Sequence, residues 1–61
     1  MANLDLRNEA RAARVPFWRI AEALDISEPT MTRKLRRELS ETQKADIRAI
    51  IERMRRHNYE Q

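Results

Sequence analysis

FWRIAEALDISEPTMTRKLRR, residues 17–37, reads as two short helices joined by a tight turn. In its first half Phe17, Ile20, Ala21 and Leu24 recur at the spacing of one α-helical face, which is therefore expected to be buried. In its second half Met31 and Leu35 are four apart, while Glu28, Pro29, Thr32, Arg33 and Arg36 fall on the opposite side, free to touch a partner. Between the halves, Asp25 tolerates a left-handed backbone better than most residues and is suited to end the first helix. Ile26, apolar within a polar turn, is expected to plug down between the helices. Ser27 is a good N-cap, its hydroxyl accepting from a free backbone N–H two or three residues on. Pro29 lacks only an N–H that the first turn of a helix leaves unused.

A helix, a three-residue turn and a second helix with a polar, basic outer face is the arrangement of the DNA-reading helix-turn-helix. The run IAEALDISEPTMTRKL resembles the helix-turn-helix of the Xre family, the Cro and lambda-repressor-like regulators. In that resemblance Ala21 stands at the small position where the helices cross, Ile26 at the apolar turn position and Met31 at the buried position of the recognition helix. The longer form PFWRIAEALDISEPTMTRKLRRELSE is similar to small stand-alone versions found in phages and mobile elements of bacteria, and the likeness covers roughly residues 4–56. Two departures stand out. The family usually has Gly where Asp25 stands, so the turn is expected to cost perhaps ~1 kcal/mol of backbone strain. Many members carry Gln where this chain has Phe17, so that contact to a phosphate or base falls to Arg19, Trp18 or backbone N–H groups.

The remaining residues of the outer face suit the chemistry of a duplex. Arg33 or Arg36 can fork onto guanine O6 and N7, and Glu28 can accept from cytosine N4. The methyl groups of Thr30 or Thr32 can meet thymine, with Ser27 and Pro29 beside them at the helix start. Arg37 and Lys34 are expected to hold phosphates, which fixes register without reading sequence.

Composition sets the frame. Sixty-one residues make one domain (1–61) that must be compact and helical to bury a core. The absence of Cys removes disulfides and thiolate metal sites, and a lone His57 cannot build a zinc site, so no metal or cofactor is expected. No stretch approaches the ~20 apolar residues of a membrane span, and the composition suits a cytoplasmic protein. Charge is uneven: residues 1–30 hold four Arg against five acids, and residues 31–61 hold nine Lys/Arg against five acids, which sums to +3. Eleven of the thirteen cations are Arg, the side chain whose planar fork matches phosphates and guanine edges. Composition alone fits a solvated helical surface of paired Arg and Glu equally well; the position of the cations favours nucleic acid.

Outside the motif, Asn3 is expected to cap a first helix over 4–14, with Asp5 in its first turn and Leu6, Ala10 and Ala13 or Val15 facing inward. Pro16 is expected to stop that helix. Trp18 lies one step off the buried face; it either covers the seam between the first two helices, offers its indole N–H to a phosphate, or forms an aromatic patch for a partner. The recognition helix is expected over 28–37. Ser40-Glu41-Thr42-Gln43 is a capping box that starts a fourth helix over 41–57, on which Ile47, Ile50, Ile51 and Met54 close the core against helices one and three. Lys44 and Arg48 are placed on another side. Residues 53–57 read as a solvated end or a weak phosphate grip, and Tyr59, Glu60 and Gln61 are expected to fray.

The expected fold is all-α, a compact lambda-repressor-like helix-turn-helix domain of four to five helices. The expected function is sequence-specific binding of double-stranded DNA as a transcriptional regulator, a repressor by the resemblance, acting as a weak homodimer. The chain lacks Gly for a phosphate-cradling loop and a Cys nucleophile, and no acid or Ser is identifiable in the sequence as a catalytic companion to its one His in a pocket, so neither catalysis nor a small-molecule substrate is expected. The reading of a different class is a small helical protein-interaction module that docks Trp18, Phe17 and the basic helix on an acidic protein.

Overall fold

In the structure, a computed structural model that describes residues 1–59, the chain forms four helices: α1 (Leu4–Ala12), α2 (Phe17–Leu24), α3 (Glu28–Leu35) and α4 (Glu41–Tyr59). Among the described residues there is no strand. The first two connections are built the same way although their sequences differ. Arg14 and Asp25 both take φ 59°. Arg14 N–H donates to Arg11 O (3.0 Å) and Val15 N–H to Ala10 O (2.9 Å); Asp25 N–H donates to Glu22 O (3.0 Å) and Ile26 N–H to Ala21 O (3.0 Å). This is the Schellman arrangement, in which a left-handed residue turns the chain so that the next N–H reaches back five residues to an otherwise unpaired carbonyl.

The apolar residue after each left-handed one then serves twice. Val15 and Ile26 close the preceding helix and also stand just before the cap of the next, the place of a hydrophobic staple to the fourth residue of that helix, Ile20 and Met31 respectively. All four belong to the core or pack against it. Ile26 therefore plugs the turn as its sequence implies. Asp25 ends α2 as expected, but α1 stops at Ala12 rather than at residue 14, because Arg14 leaves the helical region two residues before Pro16.

The caps of α3 and α4 are side-chain caps. Ser27 Oγ accepts from Thr30 N–H (3.3 Å) and pairs with the Thr30 hydroxyl (2.8 Å). Ser40 and Gln43 form the reciprocal box: Gln43 N–H donates to Ser40 Oγ (3.2 Å) and Ser40 N–H to Gln43 Oε1 (3.0 Å). Such caps are worth about 1 kcal/mol each. Helix α3 ends at Leu35, two residues short of the expected 37. Its last turn tightens, with Arg36 N–H on Arg33 O (3.3 Å) and Arg37 N–H on Lys34 O (3.4 Å), so Arg36 and Arg37 lie past the helix.

Helix α4 runs to Tyr59, beyond the expected residue 57, and its 19 residues span about 28 Å of a molecule 33 × 22 × 18 Å. Tyr59 thus continues a helix where fraying was expected; Glu60 and Gln61 lie outside the described residues. The core draws on every helix: Leu6 and Ala10, Ile20 and Ala21, Met31 and Leu35, Ile47, Ile50 and Ile51, with Ala13 and Val15 from the first turn. Both Ala13 and Val15 are buried, which resolves that alternative. Each large aliphatic side chain so buried contributes roughly 1.5–3 kcal/mol. Phe17, Leu24, Ile26, Leu39 and Met54 pack around it half-buried. The main packing of α4 is on α1, as expected, and on α2, while α3, the other expected partner of α4, is laid chiefly against α2.

Asn3 overturns its expected role. It makes no side-chain cap to α1. Fully buried and at φ 58°, it turns its amide away from α1 to the segment after α3. Its Nδ2 donates to Leu35 O (3.0 Å) and Arg37 O (2.8 Å), and its Oδ1 accepts from Leu39 N–H (2.9 Å).

Candidate nucleic-acid interface

Burial of Met31 and Leu35 fixes the rotation of α3, and that fixes what it shows to solvent. Glu28, Pro29, Thr32, Arg33 and Lys34 are exposed on the helix, and Arg36 and Arg37 are exposed just past its end. Thr30 is half-buried with its hydroxyl held by Ser27, so its methyl rather than its hydroxyl is what it can offer. Arg19 is half-buried and engaged within the protein.

Trp18 is half exposed, at 50%. It lines a cleft of about 140 Å³ together with Arg7 of α1, Phe17, and Glu28, Met31, Thr32 and Leu35 of α3. Its half exposure matches the half-exposed placement that its sequence allowed, and the cleft sets the indole beside α3.

The acids decide which cations are available. Lys44 is buried, and its ammonium donates to both carboxylate oxygens of Asp5 (3.1 and 3.2 Å) and to Glu38. Arg48 reaches Glu9 (2.9 Å) and Asp5 (2.8 Å), and Glu52 takes Arg55 and Arg56. The hydrogen bond from Lys44 holds the Asp5 carboxyl below its ordinary value, against some desolvation. The Asn3 N–H and then Lys44 do the same for Glu38 (Asn3 N–H to Glu38 Oε1, 2.8 Å). In return, bonds to Glu38 and Asp5 hold the Lys44 ammonium above its ordinary value, and Glu9 does so for Arg48. Asp5, Glu9 and Glu38 are thus committed to the junction of α1, α4 and the α3–α4 loop.

Arg33, Lys34, Arg36 and Arg37 make no side-chain hydrogen bond or ion pair among the described residues. Arg11, Arg14 and Arg53 are also exposed and unpaired, but only residues 33–37 place four such cations in five positions. Lying past the last turn, Arg36 and Arg37 are no longer constrained to the face of Arg33, which suits phosphate contacts over base contacts for both.

Sequence reasoning missed two residues. Lys44 shares the face of Ile47, Ile51 and Met54 at steps of three, four and three, so it was never on another side of α4; a lone Lys on an apolar stripe signals a buried ion pair. Asn3 carried no such signal, because Asn before an apolar-periodic run is also what an N-cap looks like. Arg7 joins Asn3 in a way the sequence does not show, its guanidinium donating to Ala2 O (3.0 Å) and Leu35 O (3.3 Å).

No helix among the described residues is long and apolar enough to cross a membrane. No known family's model, no curated protein and no solved structure matches the chain.

Proposed function

We propose that this chain is a sequence-specific double-stranded DNA-binding regulator of the Xre type that lays α3 in the major groove. The observation that supports the reading is the cluster of four exposed cations without a partner among the described residues, Arg33, Lys34, Arg36 and Arg37, on and just past a capped helix that follows a three-residue turn. A pattern of unpaired Arg on one helix end is the electrostatic footprint of a polyanion site. Arg33 and Thr32 read base edges, with Glu28 at the other end of the exposed face; Lys34, Arg36 and Arg37 hold phosphates. The role is one of binding, without catalysis, in the compartment where DNA lies. One eight-residue helix covers few base pairs, so specificity comes from two copies on half-sites about one helical turn apart. The second copy would meet the first through the end of α4 or the loop near Leu39.

The test is binding to random and to pool-selected duplexes across a salt titration. The reading expects a consensus, a steep loss of affinity with salt, relaxation of one base position in Arg33→Ala, and uniform weakening in Arg37→Ala. Failure of any duplex to bind tighter than about 10⁻⁴ M at physiological salt would sink it.

A second reading has one observation of its own, the half-exposed Trp18 beside an open cleft. An acidic protein that docks there makes Trp18→Ala abolish partner binding while Arg33→Ala leaves every DNA-dependent readout unchanged.

A further inference from the structure

We infer that Asn3 is a positioning residue for the phosphate-binding end of α3, an inference that rests on the DNA reading above. The argument starts from an oddity of location. Arg36 and Arg37 stand outside the helix, on a loop, where backbone groups are ordinarily solvated and mobile. Here the loop is strapped from beneath. Asn3 takes the carbonyls of Leu35 and Arg37 with its two amide hydrogens and the N–H of Leu39 with its amide oxygen, so three backbone groups within five residues are fixed by one side chain. Its own N–H holds Glu38, which Lys44 grips as well, and the Arg7 guanidinium adds a second donor to Leu35 O. The exposed cations Arg36 and Arg37 lie between the anchored groups, so their Cα positions are set by the strap.

The requirements at position 3 are narrow. The residue must accept a left-handed backbone, fit a site with no solvent exposure, and present two donors and one acceptor on a two-bond reach. Asp tolerates the backbone but turns a carboxylate onto two carbonyl oxygens. Gly tolerates it and removes every side-chain bond. Gln has the chemistry but one methylene too many and a poorer left-handed tolerance. Asn alone meets all three conditions.

Asn3→Gly is the informative variant, because it deletes the strap without adding backbone strain. Ile50→Val serves as a control that weakens the core without touching the loop, and both are compared with wild type at a temperature where circular dichroism shows all three folded. Two readouts separate positioning from stability. Amide hydrogen exchange at Leu39 is expected to accelerate in Asn3→Gly and not in Ile50→Val. In the salt titration, the slope of log affinity against log salt is expected to become shallower by up to about 1.8 in Asn3→Gly, the equivalent of two phosphate contacts, and to stay at the wild-type value in Ile50→Val. A faster Leu39 amide with an unchanged slope overturns the positioning role while leaving the DNA reading intact. An unchanged Leu39 amide overturns the strap itself. Wild type that binds no duplex overturns the DNA reading, and the inference with it.

Discussion

Residues 33–37 hold four cations and residues 44–56 hold five, Lys44, Arg48, Arg53, Arg55 and Arg56, yet four of those five are paired and none of the first four is. The difference is not in the cations. Around α4 the acids are interleaved at helical reach, Glu52 three and four residues before Arg55 and Arg56, or are brought across by α1 as Asp5 and Glu9. Around residues 33–37 the acids within four positions are Glu38, which is turned inward to Asn3 and Lys44, and Glu41, which forms no ion pair among the described residues. Among the described residues the cations of α4 are therefore mostly tied into the fold, whereas those of residues 33–37 are left exposed to solvent.

The largest effect that can break this contrast comes from neutralising each cluster in turn. Replacing Arg33, Arg36 and Arg37 together by Ala is expected to weaken duplex binding about 100-fold or more and to flatten the salt slope by up to about 1.8, from the phosphate contacts of Arg36 and Arg37. The matching replacement of Arg53, Arg55 and Arg56 is expected to change that slope by less than about 1, since two of the three already have a carboxylate partner. Equal losses in both titrations would mean that pairing with Glu52 does not remove those arginines from DNA contact.

Next in size is a stability effect confined to the paired half. Lys44→Met keeps the aliphatic stem in its buried place but leaves Asp5 and Glu38 facing each other without their shared ammonium. A marked fall in thermal midpoint is expected, against almost none for Arg33→Met, where the exposed head group makes no hydrogen bond or ion pair among the described residues. The pH dependence follows from the directions of the shifts. Asp5 and Glu38 sit below their ordinary values of 3.8 and 4.5, so the stability they contribute is present above those values and is lost as pH falls through the lowered folded ones. Lys44 sits above its ordinary 10.5, so its contribution is present below that value and lost as pH rises through the higher folded one. Wild type should therefore lose stability below about pH 4 more steeply than Lys44→Met does, which thermal melts between pH 2 and pH 7 would show. Parallel acid limbs for the two proteins would mean that Lys44 is not the partner that matters.

How much of this was legible depends on whether the signal was local. Ser27, Pro29 and the box of Ser40 with Gln43 act within four residues, and each does what its sequence says. The apolar stripes likewise placed Ile20, Met31, Leu35, Ile47 and Ile51 in the core. What could not be read was long-range or non-helical. Asn3 acts on residues 32 to 36 positions away, and no local pattern distinguishes that from a cap. Arg14 took a conformation that its residue type disfavours, so the first helix was extended to it. Lys44 is readable in the sequence, since its spacing from Ile47, Ile51 and Met54 puts it on the buried stripe. Of the candidate surface, the exposed positions Glu28, Pro29, Thr32 and Arg33 were fixed by periodicity, whereas the open side of Trp18 and the loop position of Arg36 and Arg37 depend on where α3 stops.

The smallest expected effects lie in the two matching turns, one in each half. This chain has no Gly, yet Arg14 and Asp25 each hold φ 59°. Gly at either position relieves the clash of Cβ with the following carbonyl, worth roughly 0.5–1 kcal/mol after the added flexibility of the unfolded chain is subtracted. Helix dipoles do not separate the two sites, because each residue follows the negative end of one helix and precedes the positive end of the next, so its charge is favoured on one side and opposed on the other. What separates them is the side chain: Asp is tolerated in the left-handed region several-fold better than Arg. Arg14→Gly is therefore expected to raise the thermal midpoint by a few degrees and Asp25→Gly by less, measured side by side in one buffer. Only Asp25→Gly also removes a negative charge from the approach to α3, and it alone should tighten duplex binding slightly at low salt. If Asp25→Gly stabilises more than Arg14→Gly, sterics at Cβ do not govern these turns. The Asp in the turn before α3 then costs the fold something beyond its φ, and the turn that leads into α3 is the more strained of the two.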